Sequence, residues 1–177
     1  MTLRSVGGHV PRVHPKAWID RSALVIGHVE LAEGVSIWPF TVVRGDEGQY
    51  IRIGRNTNVQ DHSVVHVTPE LPCLIGEGVT IGHRAVVHAC TIGNNVRIGI
   101  GAVVLTGAVI EDNAQVGAGA VVPPGKVVPA GTLVMGVPAK PVRQMNEAEL
   151  DDIRRNAVEY LELWRKDYRD GASRVIG

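Results

Sequence analysis

The stretch Thr91–Val128, TIGNNVRIGIGAVVLTGAVIEDNAQVGAGAVVPPGKVV, repeats a pattern every six residues. Ile92, Ile98, Val104, Ile110, Val116, Val122 and Val128 form one aliphatic column, and Val96, Ala102, Ala108, Ala114 and Ala120 form a second, small-residue column four places later. Neither the 3.6-residue helical period nor the two-residue period of a half-buried strand gives this spacing. Six residues suffice for one short strand and a turn. Three such units close a triangular coil, and coils stack at the strand spacing of ~4.8 Å so that each strand pairs with its copy above and below.

The columns run outward from this stretch towards the N-terminus. Aliphatic residues recur at Val13, Ile19, Val25, Leu31, Ile37 and Val43, then at Ile53, Val59 and Val65, then at Ile75, Ile81 and Val87. Their small partners are Ala17, Ala23, Val29, Val35, Thr41, Thr57, Ser63, Val79 and Ala85. The pattern predicts an all-β parallel β-helix over about residues 10–137, with three faces and about six coils. The glycines that follow the aliphatic positions (Gly54, Gly76, Gly82, Gly93, Gly99 and Gly117) are expected to make tight corners with unusual φ/ψ. After GVPAKPVRQ, expected as a proline-rich turn, a helix is predicted over 146–169. Asn146 with Glu149 supplies a capping pattern, and Leu150, Ile153, Ala157, Leu161, Trp164 and Tyr168 make an amphipathic stripe that would pack along the prism. Residues 171–177 read as a loose tail of this single domain, 1–177.

Composition agrees. The chain has one Phe, three Tyr and three Trp against 21 Gly, which suits a narrow interior filled by small branched residues. Lys plus Arg and Asp plus Glu both total 18, which gives no electrostatic reason to expect nucleic acid or an anionic membrane as partner. Two cysteines, Cys73 and Cys90, are too few for a disulfide framework and read as reduced thiols. The opening MTLRSVGGHVPRV has no apolar run of signal-peptide length and no later stretch approaches a membrane span, so a cytoplasmic protein is expected.

The register breaks three times. Val43 to Ile53 and Val65 to Ile75 each carry an extension, around Gly45–Gln49 and Thr68–Cys73, and Val87 to Ile92 is one residue short. Such breaks in a regular prism are natural places for function. Val43, Val65 and Val87 open equivalent strands of successive coils, so Arg44, His66 and His88 form one outward column. Two imidazoles ~4.8 Å apart along that column can share one ion. His83, two residues after Ile81, sits on the adjacent face and points away from them. A neighbouring subunit's copy of His83 is the simplest third ligand, and a threefold ring would then hold three equivalent sites. His9, His14, His28 and His62 read as solvated surface histidines.

NVQD (Asn58–Asp61) leading to His66, IGHRAVVH (Ile81–His88) and VVRGDE (Val42–Glu47) resemble the γ-class carbonic anhydrases and their carbonic-anhydrase-like bacterial relatives. The resemblance extends over nearly the whole chain, including the VMGVPAKPVR exit and the terminal helix. It implies a left-handed helix, although parallel crossovers are otherwise right-handed. It implies a homotrimer with metal ligands His66, His83 and His88, with His83 crossing the interface. The metal implied is Zn2+, with Fe2+ or Co2+ as other ions that three imidazoles accept. Gln60 and Asn58 would orient water or bicarbonate, and Arg44 would pair with Asp61 between subunits, near Asp46. Glu47 would accept a proton, and Tyr160 would border the pocket. The activity implied is reversible hydration of carbon dioxide to bicarbonate by a metal-bound hydroxide. One departure is the short segment Val67–Leu74, whose sole carboxylate is Glu70, where the family prototype has a long acidic loop with a proton-shuttle glutamate. Alternatives are a metal-dependent acyl-CoA thioesterase of the same fold, a metal-free hexapeptide acyltransferase, and a weakly active or non-catalytic metal-binding relative.

Overall fold

The computed structural model describes residues 2–168. Residue 169 of the expected helix and the expected tail lie outside the described residues. The chain winds as a parallel β-helix whose three faces are sheets of seven, seven and eight strands. The histidine face stacks Leu3–Arg4, Leu24–Gly27, Val42–Gly45, Val64–His66, Val86–His88, Val103–Val104 and Val121–Val122. A second face runs from Arg12–Val13 to Val127–Val128. The third, the helix face, runs from Trp18–Ile19 to Thr132–Met135.

There are about seven turns rather than six, because Leu3–Arg4 pairs below Leu24–Gly27 and Thr132–Met135 pairs above Gln115–Val116. The residues beyond both ends of the aliphatic columns had no repeat to announce them. Of the expected proline-rich turn, Lys140–Gln144 instead forms an antiparallel strand on Thr132–Met135. Its proline, Pro141, is tolerated because this strand is the sheet's edge.

Both columns point inward, with Val25, Ile37, Ile53, Val65, Ile81, Val87, Ile98 and Val116 among the buried core. Burying each such side chain contributes about 1.5–3 kcal/mol. Where the small column carries a hydroxyl, a carbonyl one turn up accepts it: Thr41 donates to Gln60 (2.8 Å), Thr57 to Gly76 (2.8 Å) and Ser63 to Gly82 (3.0 Å). The glycines after the aliphatic positions need correction. They do not adopt positive φ; a Cβ on Gly54 would lie 2.6 Å from the Gly76 carbonyl carbon, and one on Gly99 2.5 Å from the Ala118 nitrogen. Close stacking of rungs excludes a side chain there, and left-handed backbone falls later in the corner, as at Asn95, Gly101 and Asn113.

Helix α1 spans Glu147–Leu163 and continues as a wider turn through Tyr168. Asn146 caps it as expected, its side chain accepting from the Glu149 amide while the Glu149 carboxylate accepts from the Asn146 amide. Ile153, Ala157 and Trp164 are buried against the helix face. All three tryptophans gather there, Trp18 and Trp38 from the sheet and Trp164 from the helix end, with Tyr160 and Tyr168 at their edges. The aromatic residues therefore glue the helix to the prism and leave the interior to Val, Ile and Ala. No helix among the described residues is long and apolar enough to cross a membrane.

Candidate metal centre

All three register breaks fall at one corner, between the histidine face and the second face. The strand pairing sets His66 level with Arg44 below and His88 above, the column read from the sequence. The Asp46–Tyr50 extension brings Asp46 and Glu47 beside it. Asp46, Glu47 and His66 place three ligand atoms within 4.8 Å of one another.

The protonation pattern follows from the partners. Arg44 Nη1 lies 2.6 and 2.7 Å from the two Asp46 oxygens. Burial raises the Asp46 pKa, but the bonds from Arg44 and His66 outweigh it and hold the carboxyl below its usual range. A charged Asp46 can only accept, so His66 Nε2, 3.2 Å away, carries the proton. In the neutral ring this leaves the lone pair on Nδ1, which lies 3.3 Å from His88 Nε2. Two bonds of ~2.05 Å converging tetrahedrally on zinc set their nitrogens ~3.3 Å apart, so the pair fits such an ion. Burial first, then the adjacent His66, pushes the His88 pKa down, favouring the neutral imidazole that a metal requires. The other His88 nitrogen, Nδ1, lies 2.9 Å from Thr106 Oγ1.

The remaining expected site residues lie together on the corner between the helix face and the histidine face. His83 Nδ1 is 2.9 Å from Asp61 Oδ2, which turns Nε2 outward as a free lone pair, the arrangement in which a carboxylate orients a metal-binding histidine. His83, Gln60 and Tyr160 line a cleft of about 340 Å³ with Asn156 and Ile100. Gln60 donates to Asn58 (3.1 Å), Asn58 to Thr80 (3.0 Å) and Thr80 to Asn156 of α1 (3.2 Å). This chain turns the Gln60 carbonyl oxygen away from Asn58. Desolvation, then the nearby Asp61 and Tyr168, raises the Tyr160 pKa and keeps its hydroxyl protonated.

Within one chain the candidates thus form two groups: Arg44, Asp46, Glu47, His66 and His88 at one corner, and Asn58, Gln60, Asp61, His83 and Tyr160 at another. Arg44 pairs with Asp46 and Asp61 with His83 in the same chain. Thr106, Thr80 and Asn156 were missed by sequence reasoning. Thr106 lies in the turn above His88, one place past Leu105, the residue that the Val87–Val104 pairing sets level with His88, so counting rungs names its neighbour instead. The side chain of Asn156 is tied to Thr80 only through the helix docking, which no local pattern encodes. Of the histidines read as solvated, His9, His14 and His62 are exposed and His28 is half-buried, with His9 stacked on His28 (4.4 Å) and His62 on Phe40 (5.0 Å).

The stacked rungs and the paired imidazoles at an interrupted corner define a hexapeptide-repeat β-helix protein. Residues 89–124 match the bacterial transferase hexapeptide family (six repeats). The chain is 42% identical over 175 residues to protein YrdA of Escherichia coli, covering 95% of this chain and 94% of that protein. It is 43% identical over 155 residues to a carbonic anhydrase of Geobacillus kaustophilus, covering 88% and 85% of the two. A crystal structure of a hexapeptide transferase family protein from Anaplasma phagocytophilum superposes with a TM-score of 0.89 at 40% identity, covering 93% of this chain and 96% of that one. The chain belongs to the family of γ-class carbonic anhydrases and their carbonic-anhydrase-like bacterial hexapeptide-repeat relatives.

Proposed function

We propose that this protein hydrates carbon dioxide reversibly to bicarbonate at metal sites shared between neighbouring copies in a homotrimer. The observation that carries the reading is the 3.3 Å separation of His66 Nδ1 and His88 Nε2, the spacing of two nitrogens on one tetrahedral ion. His66 and His88 of one copy and His83 of the next would hold the ion. The oriented lone pair of His83 supports this, as does the outer surface of the histidine face. There Leu24, Val42, Val64, Val86, Val103 and Val121 stand in register as an apolar ladder, with Val64 38% exposed. Such a ladder is suited to burial against another copy.

Bound there, Zn2+, Co2+ or Fe2+ would lower the pKa of a coordinated water towards ~7. The chain's own residues do the rest. Gln60 offers a carbonyl oxygen to a hydrogen of the reacting water or of bicarbonate, and Asn58 fixes Gln60. Glu47, whose Oε1 is 3.9 Å from His66 Nε2, accepts the released proton and passes it to solvent. Arg44 and Asp61 would pair across the interface, as the family resemblance implies, and Tyr160 would border the substrate pocket. The test is metal analysis of protein purified without air, followed by a hydration assay with each ion. His88→Ala is expected to lose both bound metal and activity; full activity in a metal-free variant would overturn the reading.

The 340 Å³ cleft beside His83 favours a second reading, hydrolysis of a small acyl thioester, since carbon dioxide needs far less room. Side-by-side assays with both substrates separate the two. Three imidazoles, each with a fixed hydrogen-bond partner, argue against metal-free acyl transfer, which needs a single histidine base.

A further inference from the structure

Each of the three histidines keeps one ring nitrogen engaged by a neighbour, but the neighbours differ in kind. His66 faces Asp46 and His83 faces Asp61, both carboxylates that accept only. His88 alone faces a hydroxyl, Thr106 Oγ1 at 2.9 Å, which can both donate and accept. The difference matters because the His66 lone pair already points at His88 Nε2. In the metal-free protein His88 Nε2 must carry a proton and donate it to His66 Nδ1 across 3.3 Å, since two lone pairs facing each other would repel. His88 Nδ1 is then unprotonated and needs a donor, which the Thr106 hydroxyl supplies. When Nε2 gives its lone pair to an ion, the ring proton must move to Nδ1, and the same position needs an acceptor.

We propose that Thr106 is a positioning residue that satisfies His88 in both states, its hydroxyl rotating from donor to acceptor as the ring changes tautomer on loading the metal. A carboxylate in its place would lock the loaded tautomer and leave the empty site with opposed lone pairs; an apolar residue would satisfy neither state. This rests on the reading of His66 and His88 as metal ligands. Removing the orienting partner of a ligating histidine weakens metal binding by about 10–100-fold.

The test compares wild type, Thr106→Val, Thr106→Ser and His88→Ala, each stripped of metal and titrated with Zn2+ in competition with a chromophoric chelator. Thr106→Val is expected to bind about 10–100-fold more weakly, and Thr106→Ser to bind like wild type. Long-range proton–nitrogen NMR of the histidine rings should find the His88 proton on Nε2 without metal and on Nδ1 with it. Thermal unfolding of the stripped proteins reports folding defects, and Thr106→Ala replaces the valine variant if that one fails to fold. Equal affinity in wild type and in the valine or alanine variant overturns the role of Thr106 while leaving the metal site standing. A wild type that binds no zinc, or binds it as tightly after His88→Ala, overturns the metal reading and this proposal together.

Discussion

His88 shows how much one side chain's surroundings decide. Its burial and the imidazole next to it lower its pKa, so the folded protein keeps it neutral to lower pH than a free histidine. Protons compete with metal for imidazole lone pairs. Metal should therefore stay bound as the pH falls somewhat below the ordinary histidine value of about 6.5 and be released at more acidic pH. Equilibrium dialysis against zinc across that range checks this; release complete by neutral pH would contradict it. The His66–His88 column is legible in the residues alone, because a six-residue period numbers the faces and neighbouring rungs inherit the numbering. The tautomers are not, since they depend on Asp46, Asp61 and Thr106, whose reach across the corner no repeat specifies.

At the scale of elements, α1 is where sequence and structure meet most unevenly. Its cap is readable from Asn146 and Glu149 three residues apart. Its function is not: Asp152, Asn156 and Tyr160 recur every fourth residue and face Arg97, Thr80 and Trp38, partners that only the docked helix reveals. The docking has its own acid sensitivity. The ion pair with Arg143, then the Asn146 amide, lowers the Glu149 pKa to about 2. A depressed carboxylate stabilises fully above its unfolded value of about 4.3. That contribution is lost as pH falls towards about 2. The tryptophan emission of the Trp18–Trp38–Trp164 cluster should change over that window, and Glu149→Gln should flatten the change. Asn146→Ala should cost about 1 kcal/mol of stability at neutral pH by urea denaturation.

The whole molecule is legible to the extent that it is periodic. Face assignment, inward columns and the three breaks all come from counting by six. The first turn, the closing edge strand and the close-approach role of the glycines do not, because each depends on what stacks above or below. The apolar ladder on the histidine face carries the prediction proper to this scale. Val64→Glu would place a charge amid Val42 and Val86 without touching the core. It is expected to convert the proposed trimer into monomers in analytical ultracentrifugation and to abolish the zinc binding proposed for it, while the unfolding midpoint of the single chain changes little. Monomers that retain tight zinc binding would show that one chain suffices.

Because every strand pairs only with the rungs directly above and below, height along the prism is counted in whole turns. The rungs above His88 and Thr106 supply no candidate ligand and meet them at the Gly125 amide, which donates to the Thr106 carbonyl (3.0 Å); their count fixes how far from the site the chain reverses and α1 begins its descent. Excising one full turn there, Val109–Lys126, would join Ala108 to Val127 with the columns intact. It would also slide α1 by one strand spacing, ~4.8 Å, carrying Asn156 past Thr80 and Tyr160 past the cleft. The upper turns act as a ruler, and their number sets which residues of the helix look into the pocket.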